Sequence, residues 1–267
     1  MWNKWGLTMA ENSSVQSLDR AFDLLELLCR SRGGMTIGAL SAQSGLHKST
    51  VHRLLSSMCT RGYVQRDAAT SIYRAGMRLC ELSGYIMDNL DVVELARVPM
   101  ERLSAETGET VHLVMQEEKD IVYIHKVESG RGAIRMFSRI GMRRPLYCTG
   151  VGKAILATWS DSEVRALWEA SEITRWTEHT ILSEEAFFRE IEWVRRLGYA
   201  LDNEENELGV RCIAAALPDY SGRASYAISV SAPITRMSDE RIAALRGPLL
   251  AARDEIASAL GGNTGRR

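Results

Sequence analysis

The residues best equipped for chemistry are Lys48, Ser49, Thr50, His52 and Arg53, in the stretch Gly45-Leu46-His47-Lys48-Ser49-Thr50-Val51-His52-Arg53-Leu54-Leu55. Their side chains can donate hydrogen bonds to phosphates and to base edges. Val51, Leu54, Leu55 and Met58 recur at i, i+3, i+4 and i+7, which is one apolar helical face. At 100° per residue, Ser49, Arg53, Ser56 and Thr60 fall on the opposite face. Arg66 and Arg74 follow in a predicted hairpin, where they can reach the backbone or minor groove of a duplex, or simply be solvated.

A second group lies far along the chain. Thr149-Gly150-Val151-Gly152-Lys153-Ala154 superficially resembles a phosphate loop, but Tyr147 and Ala154 stand where that motif needs Gly and Ser or Thr. What remains is a glycine-rich helix start. Its free N–H groups can hold a carboxylate, or it can be a tight packing turn. Asp202, Glu204, Glu205 and Glu207 make a dense acidic run. Such runs are usually solvated loops, but Asp202 follows the strand-like Tyr199-Ala200-Leu201 and can point inward. Cys212 sits in an apolar strand as an inert buried thiol. Ser229 and Ser231 are two apart on the next strand and share a face, which suits a polar ligand or water. The five histidines accompany no Gly-x-Ser-x-Gly or Cys-Gly-Ser-Cys nucleophile motif, so catalysis is not expected. No metal-ligand spacing and no cofactor motif is present.

The elements that position these residues are readable from periodicity. Ser17 can cap a first helix with Leu18, Ala21, Phe22, Leu25 and Leu28 on its inner face. Thr36 caps a short helix over residues 37–44, Gly45-Leu46 turns, and residues 48–60 form the second helix of a helix-turn-helix. Residues 63–66 and 71–74 are the strands of a wing. Residues 76–89 read as a linker helix, and 92–107 as a helix bent or interrupted at Pro99. Beyond Thr110 the pattern changes to strands at 110–116, 121–128, 133–140, 210–217 and 223–232. Helices are expected at 150–159, 161–170, 184–198 and from Ser238 to about 260. The fold class is therefore α+β, with mostly antiparallel strands. The expected domains are a disordered leader (1–13), a winged helix-turn-helix (14–75), a linker helix (76–90), a second α+β domain (91–262) and a tail (263–267).

At 267 residues the chain suffices for two domains. Net charge is −1, yet residues 1–80 carry ten Lys and Arg against five Asp and Glu. A basic module on an acidic body suits a nucleic-acid reader fused to something else. Five scattered cysteines without a Cys-x-x-Cys pair point to reduced thiols in the cytoplasm, and no apolar run is long enough to span a membrane.

Four separated blocks, in order, resemble the IclR-type bacterial transcriptional regulators along residues 15–260. They are Ser14-Val15-Gln16-Ser17-Leu18-Asp19-Arg20-Ala21, Lys48 to Leu55, Pro145 to Lys153, and Asp202 to Ala214. The resemblance implies a winged helix-turn-helix that reads double-stranded operator DNA, a linker helix and a GAF-like effector-binding domain. It also implies a homodimer or a tetramer. Residues 121–126 and 135–141 look most like the sugar-acid branch, with its repressors of 2-keto-3-deoxygluconate and diketogulonate use. That likeness implies a keto-acid or sugar-acid effector held by Met136, Gly150, Val151, Asp202, Cys212, Ser229 and Ser231. Arg144 replaces an apolar residue, which would suit a larger or more anionic ligand if it faced the cavity. His47 replaces a common proline at the recognition-helix start. Repression relieved by the effector is the expected sign; control of aromatic-acid catabolism is the alternative, and an enzyme acting on a small carboxylic acid a more distant one.

Overall fold

The computed structural model describes residues 15–88, 90–128 and 138–262. The chain divides into two compact units, Met1–Leu90 and Asp91–Arg267.

In the first unit, α1 (Gln16–Arg30), α2 (Ile37–Ser44) and α3 (Lys48–Thr60) surround Leu24, Leu28, Leu40, Val51, Leu55 and Met58. The Thr36 hydroxyl accepts the Ala39 N–H and caps α2. Gly45 adopts φ 69°, so the chain turns into α3 without a Cβ penalty. β1 (Val64–Arg66) and β2 (Tyr73–Ala75) pair antiparallel as the wing, and Met35 bridges to Tyr73. α4 (Arg78–Asp88) follows. Two expectations for α1 fail. The helix begins before Ser17, because the Val15 carbonyl accepts the N–H groups of Leu18 and Asp19; no side chain caps it. Leu18 and Phe22 are exposed rather than inward, forming with Val15 a second apolar stripe beside the buried Leu24 and Leu28.

The second unit opens with α5 (Val92–Thr107), capped by the Asp91 carboxylate, which accepts the Val93 and Glu94 N–H groups. The helix runs through Pro99 without interruption, held by buried Ala96, Met100 and Leu103 on its inner face. A six-stranded sheet follows in the order β5-β4-β3-β8-β7-β6, with every neighbouring pair antiparallel. Its strands are β3 (Thr110–Glu117), β4 (Asp120–Val127), β5 (Arg143–Pro145), β6 (Ala200–Asn203), β7 (Val210–Pro218) and β8 (Ala224–Pro233). α6 (Gly150–Leu156), α7 (Asp161–Ala170) and α8 (Glu184–Leu197) share one core with the sheet face of Val114, Ala214, Ala216 and Ala227. Alternation places Ile213, Ala215, Ile228 and Val230 on the other face, and α5 and α9 (Asp239–Ala259) pack against the sheet and each other.

Of the strand expected at 133–140, residues 133–137 lie outside the described residues. Ser138–Ile140 are not strand; Met142 N–H bonds back to the Arg139 carbonyl in a turn through Gly141 (φ 85°), and the edge strand comes later, as β5. α6 also stops earlier than expected, at Leu156. There the bonds Thr158 N–H to Ile155 and Trp159 N–H to Leu156 tighten the chain to an i→i+3 pattern. Among the described residues no helix is long and apolar enough to cross a membrane.

Candidate functional site

Two sets of sequence-predicted residues are present, one in each unit. In the first, burying Val51, Leu55 and Met58 turns the opposite face of α3 to solvent. Lys48, Ser49, His52 and Arg53 are exposed and Thr50 is half-buried. Neither Lys48 nor Arg53 has a carboxylate partner among the described residues, so both charges are available to a polyanion. His47 stands as N-cap: its carbonyl accepts the Thr50 and Val51 N–H groups, and its Nδ1 lies 2.9 Å from Ser49 Oγ. On the wing, Arg66 donates to Ser71 Oγ at 3.2 Å and lies over the Tyr73 ring. Arg74 sits 3.6 Å from the Asp67 carboxylate. Asp67 Oδ1 also accepts the Ala69 and Thr70 N–H groups, and these bonds, Thr70 foremost, hold its carboxyl below the usual range. The arginines thus differ: Arg74 faces a committed negative charge, Arg66 only a hydroxyl and a ring.

In the second unit, sheet register assembles the other set. Asp202, Cys212 and Ser231 are direct cross-strand partners on β6, β7 and β8, so they form one row on one face. Ser229 lies two residues along that face, opposite His112 on β3. The start of α6 covers this face. A Cβ on Gly150 would sit 3.2 Å from the Asp202 backbone nitrogen, and one on Gly152 only 2.1 Å from the Leu146 carbonyl oxygen. Gly152 is therefore a packing glycine. Gly150 and Val151 line the cavity with first-turn N–H groups, while Thr149 takes those of Gly152 and Lys153. The cavity is narrow, with a volume of about 30 Å³.

Asp202 is 5% exposed, and its Oδ1 accepts the Glu205 N–H at 2.8 Å. Burial first, then the nearby Glu205 charge, pushes its carboxyl up to about 7. It can therefore donate as well as accept at neutral pH. Burial also pushes the Cys212 thiol well above its ordinary range, with Asp202 adding to the effect, so the thiolate is disfavoured. The acidic run is divided. Glu205 is buried against Lys153, whereas Glu207 is exposed at the cavity mouth. Lys153, fully buried on α6, donates to both Glu205 and Glu190. Burial opposes its charge, but the two carboxylates outweigh that and raise its pKa. This lysine is consumed inside the protein and is not a phosphate ligand.

Four predicted pocket residues from the sheet (Asp202, Cys212, Ser229, Ser231) meet Gly150 and Val151 around one cavity. Met136 lies outside the described residues. Arg144 is not among the lining residues; its guanidinium stacks 5.3 Å from the Trp176 ring centroid. Sequence reasoning missed His112, Tyr123, Ser138 and Asn206, which also line the cavity. His112 alternates with Val114 on one strand face, a usable signal only once the buried side of β3 is known.

Comparisons with known proteins agree with both units. A family model described as the IclR helix-turn-helix domain matches residues 17–68. One described as bacterial transcriptional regulator IclR C-terminal matches residues 85–258. The chain is 40% identical over 248 residues to the HTH-type transcriptional regulator KdgR of Escherichia coli (strain K12), covering 93% of this chain and 94% of that protein. It is 36% identical over 247 residues to XynR of the same strain, covering 92% and 98%. A solved structure of a putative IclR transcriptional regulator from Silicibacter sp. TM1040 superposes with a TM-score of 0.76 at 26% identity, covering 94% of this chain and 98% of that one.

Proposed function

The chain belongs to the IclR family of DNA-binding bacterial transcriptional regulators, and we propose that it represses sugar-acid catabolism genes until a keto-acid or sugar-acid effector fills the α6–sheet cavity. The carrying observation is the cavity itself: a row of Asp202, Cys212 and Ser231, with Ser229 beside it, under the N–H groups of Gly150 and Val151. A carboxylate suits the helix start, and hydroxyl or keto oxygens suit the serines and a protonated Asp202. Its relatives are regulators, not enzymes, and likeness to KdgR supports the sugar-acid branch. The described lining residues include Tyr123 as their one large aromatic, which favours a hydroxylated ligand over an aromatic acid.

Relief of repression by the effector requires that it bind two states of the chain with different affinity. On the DNA side, Lys48, Ser49, Thr50, His52 and Arg53 enter the major groove and Arg66 and Arg74 follow the backbone. The exposed stripe of Val15, Leu18 and Phe22 supports assembly as a homodimer or tetramer, since a lone chain leaves it in water. The linker helix α4 carries the change between units, and the protein works in the cytoplasm, where its operator is. A thermal-shift screen of sugar acids against aromatic acids tests the effector class. Stabilisation by aromatic acids alone transfers the proposal to aromatic catabolism.

A further inference from the structure

The geometry of the cavity points beyond the effector class. We propose that His112 is its specificity-determining residue: an imidazole wired between serine hydroxyls that reads a hydroxyl of a singly charged ligand. The inference rests on the pocket reading above and refines it.

His112 is 2% exposed, and its Cα pairs with that of Ser229, so both side chains face α6. Its Nδ1 lies 3.2 Å from Ser231 Oγ, and its Nε2 lies 2.7 Å from Ser138 Oγ. Ser229 and Ser231 are themselves 3.3 Å apart. Tyr123 packs edge-on at 5.1 Å and fixes the ring plane. Burial, with the Lys126 charge adding to it, pushes the imidazole down to about 3, so the ring is neutral in the working range. A neutral imidazole carries one donor and one acceptor, and each serine proton rotates. The chain Ser138–His112–Ser231–Ser229 therefore has two complementary polarities. One ligand hydroxyl at Ser229 or Ser231 selects between them and satisfies every member. A ligand without that hydroxyl leaves buried polar groups unpaired.

The charge of the ligand is limited by the same wall. Among the described lining residues no Lys or Arg is present, and Asp202 and Glu207 are the acids. Lys126, the cross-strand partner of His112, is engaged with Glu128 and with the Ser138 carbonyl. One carboxylate can be met by the helix-start N–H groups; a second anionic group finds no cation among the described lining residues.

Calorimetry on the full chain tests this with D-gluconate, 2-keto-3-deoxygluconate, 6-phosphogluconate and benzoate. Wild type should prefer the two singly charged hydroxy acids over the phosphorylated acid and benzoate. His112→Phe keeps an aromatic ring and removes both hydrogen bonds; it should weaken the preferred acids by at least about tenfold, the scale of one lost buried hydrogen bond, while leaving benzoate unchanged or tighter. His112→Gln, able to donate and accept, should recover part of the preference. Equal preference in wild type and both folded variants overturns the role of His112 while leaving the pocket intact. Equal binding of a sugar acid by wild type and Asp202→Ala, or no binding by wild type, overturns the pocket reading and this inference with it.

Discussion

The two functional regions place their charges in opposite ways. On α3, Lys48 and Arg53 stand in water without carboxylate partners among the described residues, and the side chains buried beneath them are apolar. In the cavity region Lys153 is fully buried, Asp202 and Glu205 are nearly so, and the lysine is matched by two carboxylates. A reading head must offer charge to a polyanion, so its cations are left unspent. A ligand pocket must hold a few polar groups at fixed places, so its charges are neutralised by neighbours or by a retained proton. Mutation should therefore cost stability in the second region and DNA affinity in the first.

The largest expected effect follows from that contrast. Lys153→Met leaves Glu205 and Glu190 facing each other without a cation, and breaking a buried pair this way costs about 3–5 kcal/mol. Urea unfolding followed by fluorescence reads it; a loss under about 1 kcal/mol would mean that the pair is not buried in solution.

Asp202 comes next, and its effect depends on pH. Its carboxyl keeps its proton up to about 7 in the folded chain, against an ordinary value of 3.8. Between these values the folded state binds more protons than the unfolded one. This group's contribution is thus fully present below about pH 4 and is lost as pH rises toward 7, at up to about 1.4 kcal/mol per unit. Asp202→Asn should flatten that slope in unfolding measured from pH 4 to 8; an unchanged slope contradicts the retained proton.

In the reading head, Arg53→Ala should weaken operator binding by about 1–3 kcal/mol and leave effector affinity unchanged, as measured by gel shift and calorimetry. The smallest effect belongs to the wing. Arg66→Ala should weaken DNA binding by less than about 1 kcal/mol, and Arg74→Ala by less again, because Asp67 already offsets that charge. The reverse order would show that the Arg74–Asp67 pair opens on DNA.

The same contrast explains what could be read from the sequence. α3 was legible to the residue because a helix with one buried face carries its own period, and Thr36 and Gly45 mark the preceding helix by local chemistry. Asp202, Cys212, Ser229 and Ser231 were expected at a pocket from strand alternation and family likeness. His112 was not, because its role comes from pairing with Ser229, more than a hundred residues away, and register between distant strands leaves no local trace. Lys153 was hidden by a related difficulty: its partners Glu190 and Glu205 lie on α8 and in the loop after β6. The edge strand β5 was missed because three residues, Arg143-Arg144-Pro145, show no alternation. On α1 two apolar stripes share one helix, and periodicity alone could not say which was inside.

On the proposed reading, occupation of the α6–sheet cavity governs DNA binding by α3. Fluorescence anisotropy of labelled operator DNA, titrated with wild type and Asp202→Ala in the presence and absence of 2-keto-3-deoxygluconate, tests it directly. Both proteins should bind free operator with equal affinity, and the ligand should lower the affinity of wild type far more than that of the variant. An identical ligand response in the two proteins would contradict it.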